Sequence, residues 1–172
     1  MTDFLSTMQR LCAREAVGVT ALRGQAPGTL RTTHAFLDAL DLSKVPKGGS
    51  PYVAWLDKTT LKLVNQLPGN ARPWGTARKA LNLFMRTSLY NRYMNKAYRL
   101  DRAEAWMEIA LDSAVAHGLK KESGRGQLPF WPGLKQLRKP VSEKFQAFAQ
   151  KMADQRRIAK VHLDMYLWLE NR

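Results

Sequence analysis

Helical periodicity is the feature that most restricts what this chain can fold into. In the longest periodic stretch, at about 76–98, four apolar residues recur at i, i+3, i+4 and i+8, namely Leu81, Phe84, Met85 and Leu89. That spacing places all four on one face of a helix. No stretch alternates convincingly with the two-residue period of a strand. We therefore predict an all-α fold.

Shorter patterns divide the rest of the chain into helices. Ser50 and Pro51 suit the N-cap and first turn of a helix that we expect to run over 51–66. Its predicted inward face consists of Val53, Ala54, Leu61 and Val64. Further helices are predicted at 3–17, 30–40, 101–109, 113–119, about 140–156 and 161–169. A chain of 172 residues suits one compact domain, 1–172, with two helical lobes and an active cleft between them as the alternative arrangement.

Positive charge is the strongest signal in the composition. The chain carries 28 basic and 14 acidic residues, a net charge of +14. The excess concentrates in 71–103, with eight basic residues against one acidic, and in 120–160, with eleven against three. Such clustering is expected of a surface that binds a polyanion, and nucleic acid is the leading interpretation. A solvated basic surface without a specific partner is the alternative.

The remaining composition excludes several classes of protein. Cys12 is the one cysteine, so an intrachain disulfide, a cysteine zinc site and a four-cysteine iron–sulfur cluster are excluded. No apolar run is long enough to span a membrane, and we see no secretory signal. We expect a cytoplasmic, nucleoid-associated protein that needs no metal or organic cofactor. The sequence leaves the oligomeric state open, and a monomer is the working expectation.

Lys79 is the first candidate catalytic residue. It follows Arg78 near the start of the predicted helix at 76–98. An amine attacks carbon only when it is unprotonated, and a position in the first turn of a helix disfavours added positive charge. A surface lysine that contacts phosphate, or nothing, is the simpler interpretation of the same position.

Asp112 is the second candidate. It precedes Ser113 at a predicted helix start, where an aspartate is an ordinary N-cap. Its apolar approach, Ile109-Ala110-Leu111, suggests a carboxylate that emerges from a buried segment and needs a partner. In the functional interpretation the carboxylate faces a developing cation or a lysine amine.

Taken together, the two segments resemble a known enzyme family. Leu67-Pro68-Gly69, followed by Gly75-Thr76-Ala77-Arg78-Lys79-Ala80-Leu81-Asn82, resembles the hairpin and following helix of the helix-hairpin-helix DNA glycosylase superfamily. Leu111-Asp112-Ser113-Ala114-Val115 is similar to the family's second motif, and 161–169 resembles the closing helix of archaeal 8-oxoguanine DNA glycosylases. The hairpin is modified, because residues 70–74 separate its two glycines.

The resemblance implies a set of roles. In the bifunctional members the matching lysine is the nucleophile and the matching aspartate its partner, so these roles fall on Lys79 and Asp112. The implied activity is excision of a damaged base, an oxidised purine by resemblance, from double-stranded DNA, with AP-lyase activity through a lysine Schiff base. The residues expected to bind DNA come from the hairpin segment and from the two basic segments, and they are Gly69, Arg72, Trp74, Gly75, Thr76, Arg78, Arg86, Lys120 and Lys121.

Aromatic residues in loops complete the predicted site. Base excision requires the target nucleotide to leave the stack, and aromatic side chains fill the gap or stack on the base. Trp74, Phe130 and Trp131 lie in predicted loops and are the candidates for stacking or wedging. Two other functions remain open: a non-enzymatic basic protein that binds nucleic acid, and a basic helical module whose partner is an acidic protein.

Overall fold

Helices account for all the regular structure in the part of the chain that the computed structural model describes, residues 2–170. The predicted all-α class is confirmed. The α-helices are α1 (Thr2–Ala16), α2 (Thr29–Asp38), α3 (Gly49–Gln66), α4 (Trp74–Tyr90), α5 (Arg92–Tyr98), α6 (Ser113–Ser123), α7 (Lys139–Arg156) and α8 (Leu163–Glu170). Short 3₁₀ segments lie at Leu42–Lys44, Leu100–Trp106 and Lys160–His162.

The single long helix predicted at 76–98 is two helices that meet at Asn91. Asn91 has an extended backbone, with φ −75° and ψ 114°, so α4 ends there. Its side chain accepts hydrogen bonds from the backbone N–H groups of Tyr93 and Met94, both at 3.1 Å, and thereby caps α5. The predicted apolar stripe of α4 is buried as expected, at Leu81, Phe84, Met85 and Leu89.

The predicted inward face of α3 is wrong at three of its four positions. Val53, Ala54 and Leu61 are exposed, whereas Val64 is partly buried and packs against the core. The buried residues of the helix are Tyr52, Leu56, Thr59, Thr60 and Leu63. The two threonines can be buried because each hydroxyl donates to a carbonyl one turn earlier, that of Trp55 or Leu56, at 2.7 Å. The helix also begins earlier than predicted, at Gly49.

The helix predicted at 101–109 does not extend to residue 109. A 3₁₀ turn ends at Trp106, and the chain then runs without regular structure to Asp112, which caps α6 as expected. The helix also runs past its predicted end at 119. It continues to Ser123, with Gly118 buried inside it, and stops at Gly124, where φ is 81°.

Two clusters of buried apolar side chains form the core. The first is built mainly from α1 to α5 and includes Tyr52, Phe84 and Met94. The second is built from Ile109, Leu111 and helices α6 to α8, and it includes Phe145. The Lys79 side chain comes from an element of the first cluster and Asp112 from the second, so the boundary between the clusters positions the site. No helix among residues 2–170 is long and apolar enough to cross a membrane.

Candidate active site

A cavity of about 550 Å³ lies at the boundary between the two core clusters. This volume falls within the range of ordinary small-molecule sites. Apolar side chains form much of the wall, among them Leu83, Val115 and Met165. Four charged side chains also line it: Lys79 and Arg86 from α4, Asp112 before α6, and Asp164 from α8.

Lys79 is a buried lysine, only 8% exposed, whose amine is held by two oxygen atoms. Its Nζ lies 3.2 Å from Oδ2 of Asp112 and donates to the backbone carbonyl of Ala21 at 3.1 Å. We predicted that Lys79 lies in the first turn of a helix. It lies in the second turn instead, because α4 begins at Trp74. The helix dipole acts chiefly within the first turn, so the ion pair and burial dominate the surroundings of this amine.

Asp112 has two roles at once. Its Oδ1 accepts a hydrogen bond from the backbone N–H of Val115 at 3.0 Å and so caps α6, while Oδ2 faces Lys79. The side chain is partly exposed and lines the cavity. The two motifs that the sequence marks as catalytic candidates therefore meet in space.

A side-chain amide on α7 fixes the segment that carries Asp112. The backbone N–H of Ile109 donates to Oε1 of Gln146 at 3.2 Å, and Nε2 of Gln146 donates to the Ile109 carbonyl at 2.8 Å. All of these groups are buried. Backbone groups that lack a helical partner are costly to bury unpaired, and Gln146 satisfies both in one residue.

Arg86 and Asp164 form a second charge pair in the same cavity, which the sequence did not predict. Arg86 lies on α4 two turns after Lys79, and its guanidinium is paired with the Asp164 carboxylate. Arg86 was expected among DNA-binding residues on general grounds of charge, and Asp164 was not expected at the site. The spacing from 79 to 86, which suits one face of a helix, is the signal that could have placed Arg86 beside the lysine.

Asp164 is a buried carboxyl, 4% exposed. Burial raises its pKa, the hydrogen bond from Arg86 lowers it in part, and the negative charge of Asp112 raises it further. The two carboxylates also line the same cavity. The cavity is thus lined by two acidic and two basic side chains, which form two ion pairs.

The turn before α8 anchors Asp164 to the rest of the fold. His162 contacts the Tyr90 hydroxyl through Nδ1 at 2.7 Å and Glu104 through Nε2 at 2.6 Å. The Tyr90 and His162 rings also stack, with centroids 5.5 Å apart. These contacts link the start of α8 to α4 and to the 3₁₀ segment before 107. The second charge pair is therefore held from both sides.

The predicted hairpin does not present its second half to a phosphate. Gly75 is buried in the first turn of α4, and a Cβ built there would lie 2.4 Å from the Leu134 carbonyl oxygen. Thr76 is fully buried and donates from its hydroxyl to Gln25 at 3.0 Å. The predicted DNA contacts of Gly75 and Thr76 do not fit this arrangement, because both residues pack against other parts of the protein.

Arg78 is also held inside the protein, and its surroundings do not fit the predicted DNA contact. Its side chain is 4% exposed and makes a two-point contact with Glu108, with both N–O distances at 2.8 Å. It also contacts Asp57 and Thr60, each at 2.9 Å. A guanidinium that is enclosed by two carboxylates in this way is unavailable to a phosphate.

The three candidate stacking aromatics differ in exposure. Trp74 is partly buried, with the Arg78 guanidinium 5.3 Å from its ring centroid, so it is packed into the fold. Trp131 is partly buried, packs edge-on against Phe145, and donates from Nε1 to Ser113 at 3.2 Å. Phe130 is 82% exposed. Of the three, Phe130 has the ring that is free to meet a base.

The remaining predicted DNA-binding residues lie on the surface. Gly69 and Arg72 are exposed in the connection between α3 and α4, with φ values of 81° and 36°. Lys121 is exposed and Lys120 partly buried at the end of α6. No group of three histidine, cysteine, aspartate or glutamate side chains among the described residues has the arrangement of a metal site.

The chain matches no family model, no curated protein and no solved structure. The interpretation of the site therefore rests on its geometry and on the motif resemblance described above.

Proposed function

We propose that this protein is a DNA glycosylase that excises a damaged base and then cleaves the strand at the resulting abasic site. The observation that carries the proposal is the ion pair between Lys79 and Asp112 at the wall of a cavity. A lysine nucleophile needs a base to remove its proton, and this carboxylate oxygen lies 3.2 Å from the amine. The net charge of +14 supports a polyanionic substrate.

The chemistry follows from these two side chains. Asp112 accepts a proton from the Lys79 ammonium, and the neutral amine attacks C1′ of the target nucleotide. The bond from C1′ to the base breaks, and the base departs with the electron pair and takes the proton from Asp112. Asp112 then moves a proton from the Lys79 nitrogen to O4′ as the C1′–O4′ bond breaks, which opens the sugar ring and gives a Schiff base between Lys79 and C1′. A proton is then lost from C2′ to water and the C3′–O bond breaks, so the 3′ phosphate leaves and β-elimination is complete.

The second charge pair supports a substrate with polar edges. Arg86 offers N–H donors, and Asp164 offers an acceptor or, when protonated, a donor. An apolar cavity with a few polar groups is typical of a site that binds a planar heterocycle. An oxidised purine remains the substrate expected from the resemblance, and a nucleoid location follows from DNA as substrate.

Borohydride trapping tests the proposal. The substrates are a duplex with one abasic site and a duplex with one 8-oxoguanine. We expect a covalent adduct with the wild type, none with Lys79→Gln, and a yield or rate at least about 100-fold lower with Asp112→Asn. Lys58→Gln, at an exposed lysine on α3, is the matched control and should form the adduct normally.

The second candidate function is a non-enzymatic protein that binds nucleic acid. One observation favours it: Asp112 is already an N-cap, so its ion pair with Lys79 would suffice to stabilise the junction between the two core clusters. Wild-type protein that binds both duplexes tightly, yet neither releases the base nor gives an adduct with either, would establish this alternative and overturn the enzymatic proposal.

A further inference from the structure

A groove of about 540 Å³ lies outside the active-site cavity, beside the solvent-facing side of α6. Ser113, His117, Lys120 and Lys121 line one wall. They lie at i, i+4, i+7 and i+8, so they share one face of the helix. The other wall is formed by Phe130 and Trp131 from the loop after α6.

The residues that line the groove combine positive charge with aromatic surface. None of the six residues that line it is acidic, and two are lysines. Phe130 is the most exposed aromatic described in the chain, and Nζ of Lys120 lies 6.0 Å from its ring centroid. Trp131 is held against the helix by its hydrogen bond to Ser113. Lysines beside an exposed aromatic are the combination that binds backbone phosphates and a stacked base.

The groove and the active site share one helix. Asp112 caps the N-terminal end of α6, and the groove begins at the next residue, Ser113. From Ser113 to Lys121 the helix rises about 12 Å, which corresponds to about three phosphates of one strand in a B-form duplex. A strand whose target nucleotide enters the cavity would therefore have its nearest neighbours at the groove.

We infer that this groove binds the nucleotides next to the target, with phosphates on Lys120 and Lys121 and one unstacked base on Phe130. The inference rests on the proposed function, because it takes the cavity as the place of the target nucleotide. An acidic polypeptide would satisfy the lysines but would leave the exposed ring without a stacking partner. The observations therefore favour nucleic acid.

Photo-crosslinking locates the stacked base. The probes are duplexes with one tetrahydrofuran abasic analogue and one 5-iodouracil, placed at each of the three positions on either side. We expect a crosslink that maps to Phe130 from one or two adjacent positions and that disappears in Phe130→Leu. Phe4→Leu, at a half-exposed aromatic on α1, is the control and should keep it. Crosslinks that map only to other parts of the protein would overturn the inference.

Binding measurements test the lysines. We expect the double variant Lys120→Ala/Lys121→Ala to bind the same duplex at least tenfold more weakly. The slope of log affinity against log salt should also become shallower by about 2. Lys58→Ala/Lys62→Ala removes the same charge from exposed positions on α3 and should change neither quantity. If both double variants lose affinity equally, binding depends only on total charge, and the inference that the groove binds nucleotides is overturned.

These results are independent of lysine chemistry, because the tetrahydrofuran analogue cannot form a Schiff base. A crosslink at Phe130 without borohydride trapping would support nucleic-acid binding in the groove and refute the proposed lysine-dependent enzyme. Trapping without that crosslink would support the proposed enzyme and refute nucleotide binding in the groove. Binding of polyglutamate that is lost in the Lys120→Ala/Lys121→Ala variant, with no crosslink at Phe130, would assign the groove to an acidic protein and overturn the inference.

Discussion

Asp112 uses one carboxylate oxygen to cap α6 and the other to hold Lys79, at 3.0 Å from the Val115 nitrogen and 3.2 Å from the lysine nitrogen respectively. The same side chain thus ends an irregular segment, starts a helix and joins the two core clusters. Structural and chemical roles of this residue can be separated, because asparagine can keep the cap without the charge, whereas alanine keeps neither contact.

Asp112→Asn should be more stable than Asp112→Ala by about 1 kcal/mol. The amide oxygen of asparagine can still cap α6, whereas alanine removes the cap, and both variants lose the ion pair. Both should fail in borohydride trapping to a similar extent. Chemical denaturation measures the difference in stability. Equal free energies of unfolding for the two variants would contradict a capping role.

Arg86→Met should lower stability in a way that depends on pH. Burial already raises the pKa of Asp164 in the folded protein, and loss of Arg86 removes the group that opposes this rise. A carboxyl whose folded pKa is raised favours folding most at pH values below its unfolded pKa. That contribution is lost as the pH rises through the folded pKa. The cost of the variant should therefore be small near pH 4 and reach about 3 kcal/mol at neutral pH.

Urea denaturation from pH 4 to 8 measures this dependence. Arg14→Met is the matched control, because Arg14 also pairs with an aspartate, Asp38, but at the surface. Its cost should stay below about 1 kcal/mol at every pH. If the loss of stability in Arg86→Met does not change with pH, Arg86 does not stabilise the ionised form of the Asp164 carboxylate.

Arg78→Met should cost about 3–5 kcal/mol of stability, because it leaves Glu108 and Asp57 without their buried cation. Lys139→Met is the comparison, since Lys139 pairs with the same Asp57 at 2.6 Å but is nearly half exposed. Its cost should stay below about 1 kcal/mol. Thermal and urea denaturation check both values.

The salt dependence of DNA binding tests the same arginine in another way. If Arg78→Lys folds, the slope of log affinity against log salt should match that of the wild type, because the residue does not reach the surface. A slope shallower by about 1 would show that Arg78 binds a phosphate after all.

Gly75→Ala should destabilise the protein by about 1–3 kcal/mol. The added methyl would meet the Leu134 carbonyl oxygen at 2.4 Å and the Leu137 side chain at 2.7 Å, so the backbone must shift. Gly18→Ala is the control, since nothing lies within 4 Å of a Cβ at that position. Its effect should stay within about 0.5 kcal/mol. A neutral Gly75→Ala variant would show that the contact with Leu134 is dispensable.

Patterns in the sequence predicted correctly those features that depend on residues close to one another in the chain. The stripe on α4 and the cap at Asp112 were correct because periodicity and capping depend on neighbours in sequence. Most of the inward face predicted for α3 was wrong, because apolar character alone does not reveal that Thr59 and Thr60 can satisfy their hydroxyls within the helix. The roles expected of Gly75 and Arg78 came from a resemblance that carries no information on burial.

The site itself was only partly predictable. Motif resemblance named Lys79 and Asp112, but their approach depends on long-range packing between two core clusters. Arg86 and Asp164 come from elements far apart in sequence, and no local pattern pairs them. The composition could signal a basic surface, whereas the sorting of buried from surface cations required the tertiary structure.

Gln146 imitates a neighbouring β-strand for a single residue. It offers Ile109 one acceptor and one donor, as the backbone of an adjacent strand would. Glutamate could not replace Gln146 in this role, because an ionised carboxylate of the same shape cannot donate to the Ile109 carbonyl. A change of one atom group on α7, a helix that contributes none of the described cavity residues, can thus release the segment that carries Asp112. The distance between Lys79 and Asp112 thus depends on the side-chain amide of Gln146, which touches neither residue's charged group.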